Sequence, residues 1–293
     1  MTAPDGLLQD ADTIKTYRYV RLAMVGLVVG IFAAVLIQRR TAGTTGFLPS
    51  ISDYYSTPAR GMFVAALLAI GVCLVCIRGG STAEDVLLNV AGMLAPVVAL
   101  VPTPPDSHDP NIKGLLADLH AGVTNNFPAL LVIAAFAVVV LLCLIAKAFV
   151  GTGPRPSKGN VAGFGLATAL VLAAYIWYSA RKESFLDGAH FTAAITMFAC
   201  IAGTAIVDGI HAIGGQNKKT RGRVYIAIGA SMLLAGGGII GYDMWIQSWK
   251  HAVLAAEAIL IFLFAVFWAM QTVDLWNYTS RKQAISAANQ VVP

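Results

Sequence analysis

Ser52 and Asp53 lie together in the stretch SISDYYSTPAR at 50–60. His120 closes KGLLADLH, His190 follows Asp187-Gly-Ala, and His251 begins HAVLAAEAILIFLF, which also carries Glu257. Three imidazoles with a carboxylate or a water form an ordinary zinc set. His120, His190 and His251, with Asp53 beside them, therefore define one chemistry, in which metal-bound water attacks an ester or amide. The three histidines come from separate segments, and no HExxH or HxxxH spacing joins two of them on one helix turn. Glu257 defines another chemistry. It lies about 9 Å along a helix from His251, and an ionisable group inside an apolar span is a functional position by default. The plain alternative is a protonated acid that donates to a neighbouring helix backbone. Ser50 and Ser52 lack a GxSxG context and read as ordinary loop hydroxyls.

Asp-Gly-x-His occurs twice, at Asp187–His190 and at Asp208–His211. On one helix the two aspartates would stand roughly 31 Å apart, the thickness of the hydrocarbon core of a bilayer. The two copies thus mark opposite membrane faces and cannot form one site. Asp187 is expected to N-cap its helix, which leaves the His190 imidazole free. Asp208 and His211 are expected to serve the helix end and to meet lipid headgroups, with Gly214 and Gly215 as the stop.

The elements that must position these groups are membrane helices. The chain is 57% hydrophobic and 12% charged, with a mean hydropathy of +0.72, whereas soluble domains carry about 25% charge. Uncharged stretches of helix-spanning length predict an all-α polytopic bundle of eight spans, at 18–37, 61–78, 86–102, 127–148, 160–180, 190–212, 224–245 and 251–273. One transmembrane domain, 18–275, is expected between a cytoplasmic segment 1–17 and a cytoplasmic tail 276–293. The charged first 17 residues argue for a retained first span in place of a cleaved leader. Asn125–Asn126 before Pro128 predicts the start of the fourth span, after a short interfacial helix over 113–126.

Thirteen of the 20 Lys and Arg residues fall on the side that carries both termini, including QNKKTRGR at 216–223. The positive-inside rule then makes both termini cytoplasmic in a multi-pass cell-membrane protein. The pI of 9.1 follows from this topology and requires no nucleic-acid partner. His108, His120, His190 and His251 fall on the outer face, and only His211 on the inner. If the outer ends of spans two, four, six and eight converge, they form an outward-facing polar pocket. Cys73 and Cys76, spaced CxxC in an apolar span, read as inert buried thiols. Gly237 and Gly241 read as a GxxxG pair for close helix approach. FVAA at 63–66 and FTAA at 191–194 hint at a four-plus-four repeat.

The stretch SISDYYSTPARGMFVAALLAIGVCL, with EDVLLNVAGMLAPVVALVPT at 84–103, His190–Phe191, Glu257 and Trp268, resembles a group of bacterial integral membrane proteins that have no assigned activity. Relative to six-span members, 111–180 looks like an insertion. More distantly, LPSISD at 48–53 resembles a loop of the damage-regulated autophagy modulator family, which implies a role in membrane trafficking or GPI-anchor remodelling. The Ser, Asp and three His are also of the types used by ceramidase and adiponectin-receptor membrane hydrolases. Those pair two histidines on the last helix, where this chain has only His251.

The leading expectation is a lipid or amphiphile pocket built from Ser52, Asp53, His120, Asp187, His190, His251 and Glu257. A zinc-dependent lipid hydrolase and a proton-coupled transporter using Glu257 stand beside it, with a purely structural subunit as the bland alternative. Membrane lipid is the expected partner, with an oligomer or membrane partner protein beside it.

Overall fold

The computed structural model describes residues 5–42, 46–104, 112–151, 158–214, 219–245 and 251–291. Among these the chain is all-helical, with nine α-helices and no strand. They are α1 (Asp5–Thr41), α2 (Arg60–Cys76), α3 (Thr82–Leu100), α4 (Ile112–Val150), α5 (Lys158–Ala180), α6 (Lys182–Gly214), α7 (Lys219–Trp245), α8 (Ala252–Asp274) and α9 (Arg281–Val291). Each expected span overlaps one of the first eight. Six helices (α1, α3, α4, α5, α6 and α8) are long and apolar enough to cross a membrane, and α2 is a shorter apolar helix.

Glycines set the closest helix contacts, though not the pair expected from GxxxG spacing. A Cβ added at Gly71 would lie 2.8 Å from the Gly92 carbonyl oxygen, and one at Gly92 would lie 2.7 Å from that of Gly71. Backbone thus meets backbone between α2 and α3. The same contact recurs between α6 and α7. A Cβ at Gly209 would fall 2.7 Å from the Gly222 oxygen, and one at Gly229 would fall 2.6 Å from the Ala202 oxygen. The pairings 209 with 222 and 202 with 229 run in opposite directions, so α6 and α7 are antiparallel. Around Gly237 and Gly241 nothing lies within 4 Å. Their spacing permits close approach, but no neighbouring backbone among the described residues is there to use it.

α3 packs on α6, α1 packs on α2 and α8, and α7 packs on α8. Trp268, Phe267, Met24 and Leu74 are fully buried among them. α4 and α5 stand at the side, with no residue buried in the most apolar window of either. They reach the body at the base of α4, where Val123 and Phe127 pack with Val101 and Phe185, and along α5, where Trp177 and Tyr178 pack on Phe185 and Gly159 meets Thr82.

Two boundaries differ from the sequence reading. Pro128 does not begin a helix, because α4 runs unbroken from Ile112. Proline removes the bond to the carbonyl four residues back and its ring crowds that carbonyl, a cost that this helix carries next to the packed Phe127. Helix α6 starts at Lys182, soon after α5 ends, so Asp187 lies within the helix and is exposed. It caps nothing at the helix start. The other end of α6 falls at Gly214, while Gly215 and His108 lie outside the described residues.

Candidate functional site

Between α1 and α2, Ile51, Tyr54 and Tyr55 are buried in the bundle end, 2%, 2% and 4% exposed. A short 3-10 turn, Ser52–Ser56, forms there, braced by mutual hydrogen bonds between Ser50 and Asp53. The Asp53 amide donates to Ser50 Oγ at 2.9 Å, and the Ser50 amide donates to Asp53 Oδ2 at 3.0 Å. This reciprocal pairing satisfies two backbone donors that a helix start would leave bare. Asp53 also accepts from Thr103 Oγ1 at 3.4 Å. Leu254 at the start of α8 donates to the Pro49 carbonyl at 2.9 Å, which ties the turn to the last long helix.

That turn sets Ser52 between two functional groups. Ser52 Oγ lies 2.8 Å from Glu257 Oε1 and 3.0 Å from His190 Nε2. His190 Nδ1 lies 2.7 Å from the Val101 carbonyl oxygen. Glu257 Oε2 accepts the Ile51 amide at 2.5 Å and the Ser52 amide at 3.4 Å. Glu257 thus receives backbone hydrogens from the turn before α2, the reverse of the donation expected from a neutral acid on a helix.

Hydrogen counting restricts the protonation of this chain of groups. A carbonyl only accepts, so His190 Nδ1 carries a hydrogen. The Ser52 hydroxyl has one hydrogen and two close partners. If it donates to His190 Nε2, Glu257 must be an acid that donates from Oε1 to Ser52. If it donates to Glu257, then Nε2 must be protonated as well, giving an imidazolium and a carboxylate bridged by the hydroxyl. Both arrangements hold the same number of protons and the same net charge. Outside water, separating charge in this way is costly, which favours the first.

Ser52, His190 and Glu257 line one end of a cavity of about 200 Å³ between α1, α2, α6, α7 and α8. The remainder is apolar, with Ile31, Leu67, Phe198, Met232 and Phe264 on its walls. At its mouth Phe191, Ile195 and Leu233 are each 47% exposed. Gly236 and Gly237 also border it, with nothing within 4 Å of a Cβ at either. No Lys or Arg is among the described residues that line it.

The structure therefore brings Ser52, His190 and Glu257 together, with Asp53 holding the turn beneath them. It does not assemble the zinc set. Both ring nitrogens of His190 are already engaged, and His120 is exposed on the base of α4. His251 precedes α8 with its Nδ1 buried and no partner found among the described residues. Among those residues no group of three or more His, Cys, Asp or Glu side chains is placed to hold a metal ion. Asp187 is exposed, and no described contact joins it to the cluster. The Val101 carbonyl, which fixes the His190 tautomer, leaves no signal in the sequence.

The second Asp-Gly-x-His has a different role from the one expected. Asp208 is fully buried and accepts from Arg281 Nε at 2.5 Å and Nη2 at 2.8 Å. Gln271 adds a third contact at 3.4 Å. His211 pairs with Glu84 at 2.8 Å. Arg221 pairs with Asp274, which also accepts from the Tyr225 hydroxyl at 3.0 Å. Arg21, 1% exposed, donates to the carbonyls of Tyr278 and Thr279 at 3.4 and 2.5 Å. Asp208 is thus committed to protein partners and not to headgroups.

No family model matches the chain, and no curated protein and no solved structure is detectably similar to it.

Proposed function

We propose that this is a multi-pass cell-membrane protein, both termini cytoplasmic, that binds the apolar chain of a lipid or other amphiphile in the α1–α2–α6–α7–α8 cavity. The head group would meet Ser52, His190 and Glu257. One observation carries the reading: an apolar cavity that is polar at a single end, where three hydrogen-bonding side chains converge. Its volume of about 200 Å³ somewhat exceeds the ~150 Å³ that accepts a benzene, which suits one acyl chain or part of one. The apolar mouth at Phe191, Ile195 and Leu233 suits entry from the bilayer. With no cation on the described walls and a cluster that is neutral as a unit, an uncharged head such as a hydroxyl, ester, amide or protonated acid fits better than a phosphate.

A fluorescent acyl amphiphile, titrated into detergent-purified protein, tests this. Gly237→Leu places a side chain in the open space at the wall. It should weaken binding at least about tenfold, roughly 1.4 kcal/mol, without lowering thermal stability. Unchanged binding in that variant would refute the cavity as the site.

A further inference from the structure

We propose that Ser52 is an acyl-accepting nucleophile with His190 as its base, so that the protein hydrolyses an ester of the amphiphile that the cavity holds. The substrate's seating rests on the binding reading above; the chemistry rests on the Ser52–His190 geometry. A nucleophile needs a base within hydrogen-bond reach and a third group that orients the base. His190 Nε2 is 3.0 Å from Ser52 Oγ, and the Val101 carbonyl, 2.7 Å from Nδ1, fixes the tautomer with its lone pair toward the serine. A backbone carbonyl here takes the orienting place that a carboxylate holds in a Ser-His-Asp triad.

In the step, Ser52 Oγ bonds to the ester carbonyl carbon as its proton passes to His190 Nε2. The C–O bond to the alcohol then breaks, and the alcohol oxygen leaves with the proton from Nε2. Water attacks the acyl-serine next and gives its proton to Nε2. The acid departs, and Ser52 regains its hydrogen from the imidazolium. Two donors flank Ser52 Oγ and would serve the developing oxyanion: the Ser52 amide, held only loosely by Glu257 at 3.4 Å, and the Glu257 acid hydrogen, which lies on Oγ across 2.8 Å and would turn to the oxyanion as Oγ bonds to carbon. Donors aimed at the oxyanion commonly supply more of the rate gain in acyl transfer than any other single effect. Ser52 is 6% exposed, and the apolar cavity opens onto it, which selects esters that bear an apolar chain.

The test is a fluorophosphonate probe on the detergent-purified full chain, with the labelled peptide identified by mass spectrometry, beside hydrolysis of a short p-nitrophenyl ester. About one label per chain at Ser52 is expected, none in Ser52→Ala, and a rate lower by about 100-fold or more in His190→Gln. Absent or scattered serine labelling, or a folded His190→Gln variant labelled at the wild-type rate, overturns the proposal. If His190→Gln does not fold, selectivity for Ser52 in the wild-type chain decides. The short ester needs no chain-binding cavity and the acyl probe needs no chemistry. Loss of one signal with the other intact therefore shows which of the two readings has failed.

Discussion

Replacing Arg281 with alanine strips from Asp208 the cation hydrogen-bonded to it and leaves only the more distant charge of Arg21 among the described residues. In the native chain the Arg281 guanidinium meets both carboxylate oxygens, from Nε and Nη2 at 2.5 and 2.8 Å, and the two residues are 4% and 0% exposed. Burial works against the Arg281 charge, but the hydrogen bonds and charge of Asp208 outweigh it and raise its pKa. The arginine therefore stays charged at every pH at which the protein is handled. Removing it leaves Asp208 the Gln271 amide at 3.4 Å and the charge of Arg21, with no hydrogen-bonded cation among the described residues. Breaking a buried pair from one side costs about 3–5 kcal/mol, or two to four powers of ten in the unfolding equilibrium at ~1.4 kcal/mol each. The reverse variant, Asp208→Ala, should cost less, because Arg281 keeps Asp274 at 3.8 Å and the Tyr225 ring at 4.9 Å. The double variant should fall well short of the sum of the singles. Reversible unfolding in mixed micelles, followed by circular dichroism, measures all three. An Arg281→Ala cost under about 1 kcal/mol, or additive singles, would refute a coupled buried pair, since contacting residues are expected to couple.

Other outcomes follow from packing and topology. Gly209→Ala places a methyl against α7 backbone and should destabilise by about 1–3 kcal/mol, whereas Gly237→Ala, with open space around it, should be neutral or gain up to about 1 kcal/mol from helix propensity. Thermal melts of the two compare them directly. Ser81 caps α3 by accepting the Glu84 amide, so Ser81→Ala should cost about 1 kcal/mol in the same melts. On the proposed topology, a fluorescent protein fused to the C-terminus should mature and glow in a bacterial host, and a periplasmic alkaline phosphatase fused there should be inactive.

The helices are legible in the sequence because apolar runs of spanning length have few alternative fates, and each expected span overlaps one observed helix. Helix ends are harder to read. Asp187-Gly has the form of a cap, yet Lys182–Leu186 is already helical, with Phe185 and Leu186 buried against the base of α4. At the site, Ser52, His190 and Glu257 are recognisable as polar groups near one membrane face. Their partnership is not, because hydrogen bonds across 138 and 205 residues leave no local spacing. Ser52 by itself reads as a loop hydroxyl, since only the folded turn brings a base to it. The buried ions near the other face are hidden for the same reason. Arg281 and His211 find their acids 73 and 127 residues away.

The wiring of both ends also sets a timetable for biogenesis. The loop that carries Ser52 emerges early, but its Glu257 partner follows 205 residues later. At about 5–20 residues per second, synthesis leaves that loop without its carboxylate for roughly 10–40 s. Arg21 waits longer still, for carbonyls 257 and 258 residues downstream. The nascent chain thus carries bare polar groups at both bundle ends until its last helices arrive. Arrival of α8 and the segment after it satisfies both ends within the same last stretch of synthesis.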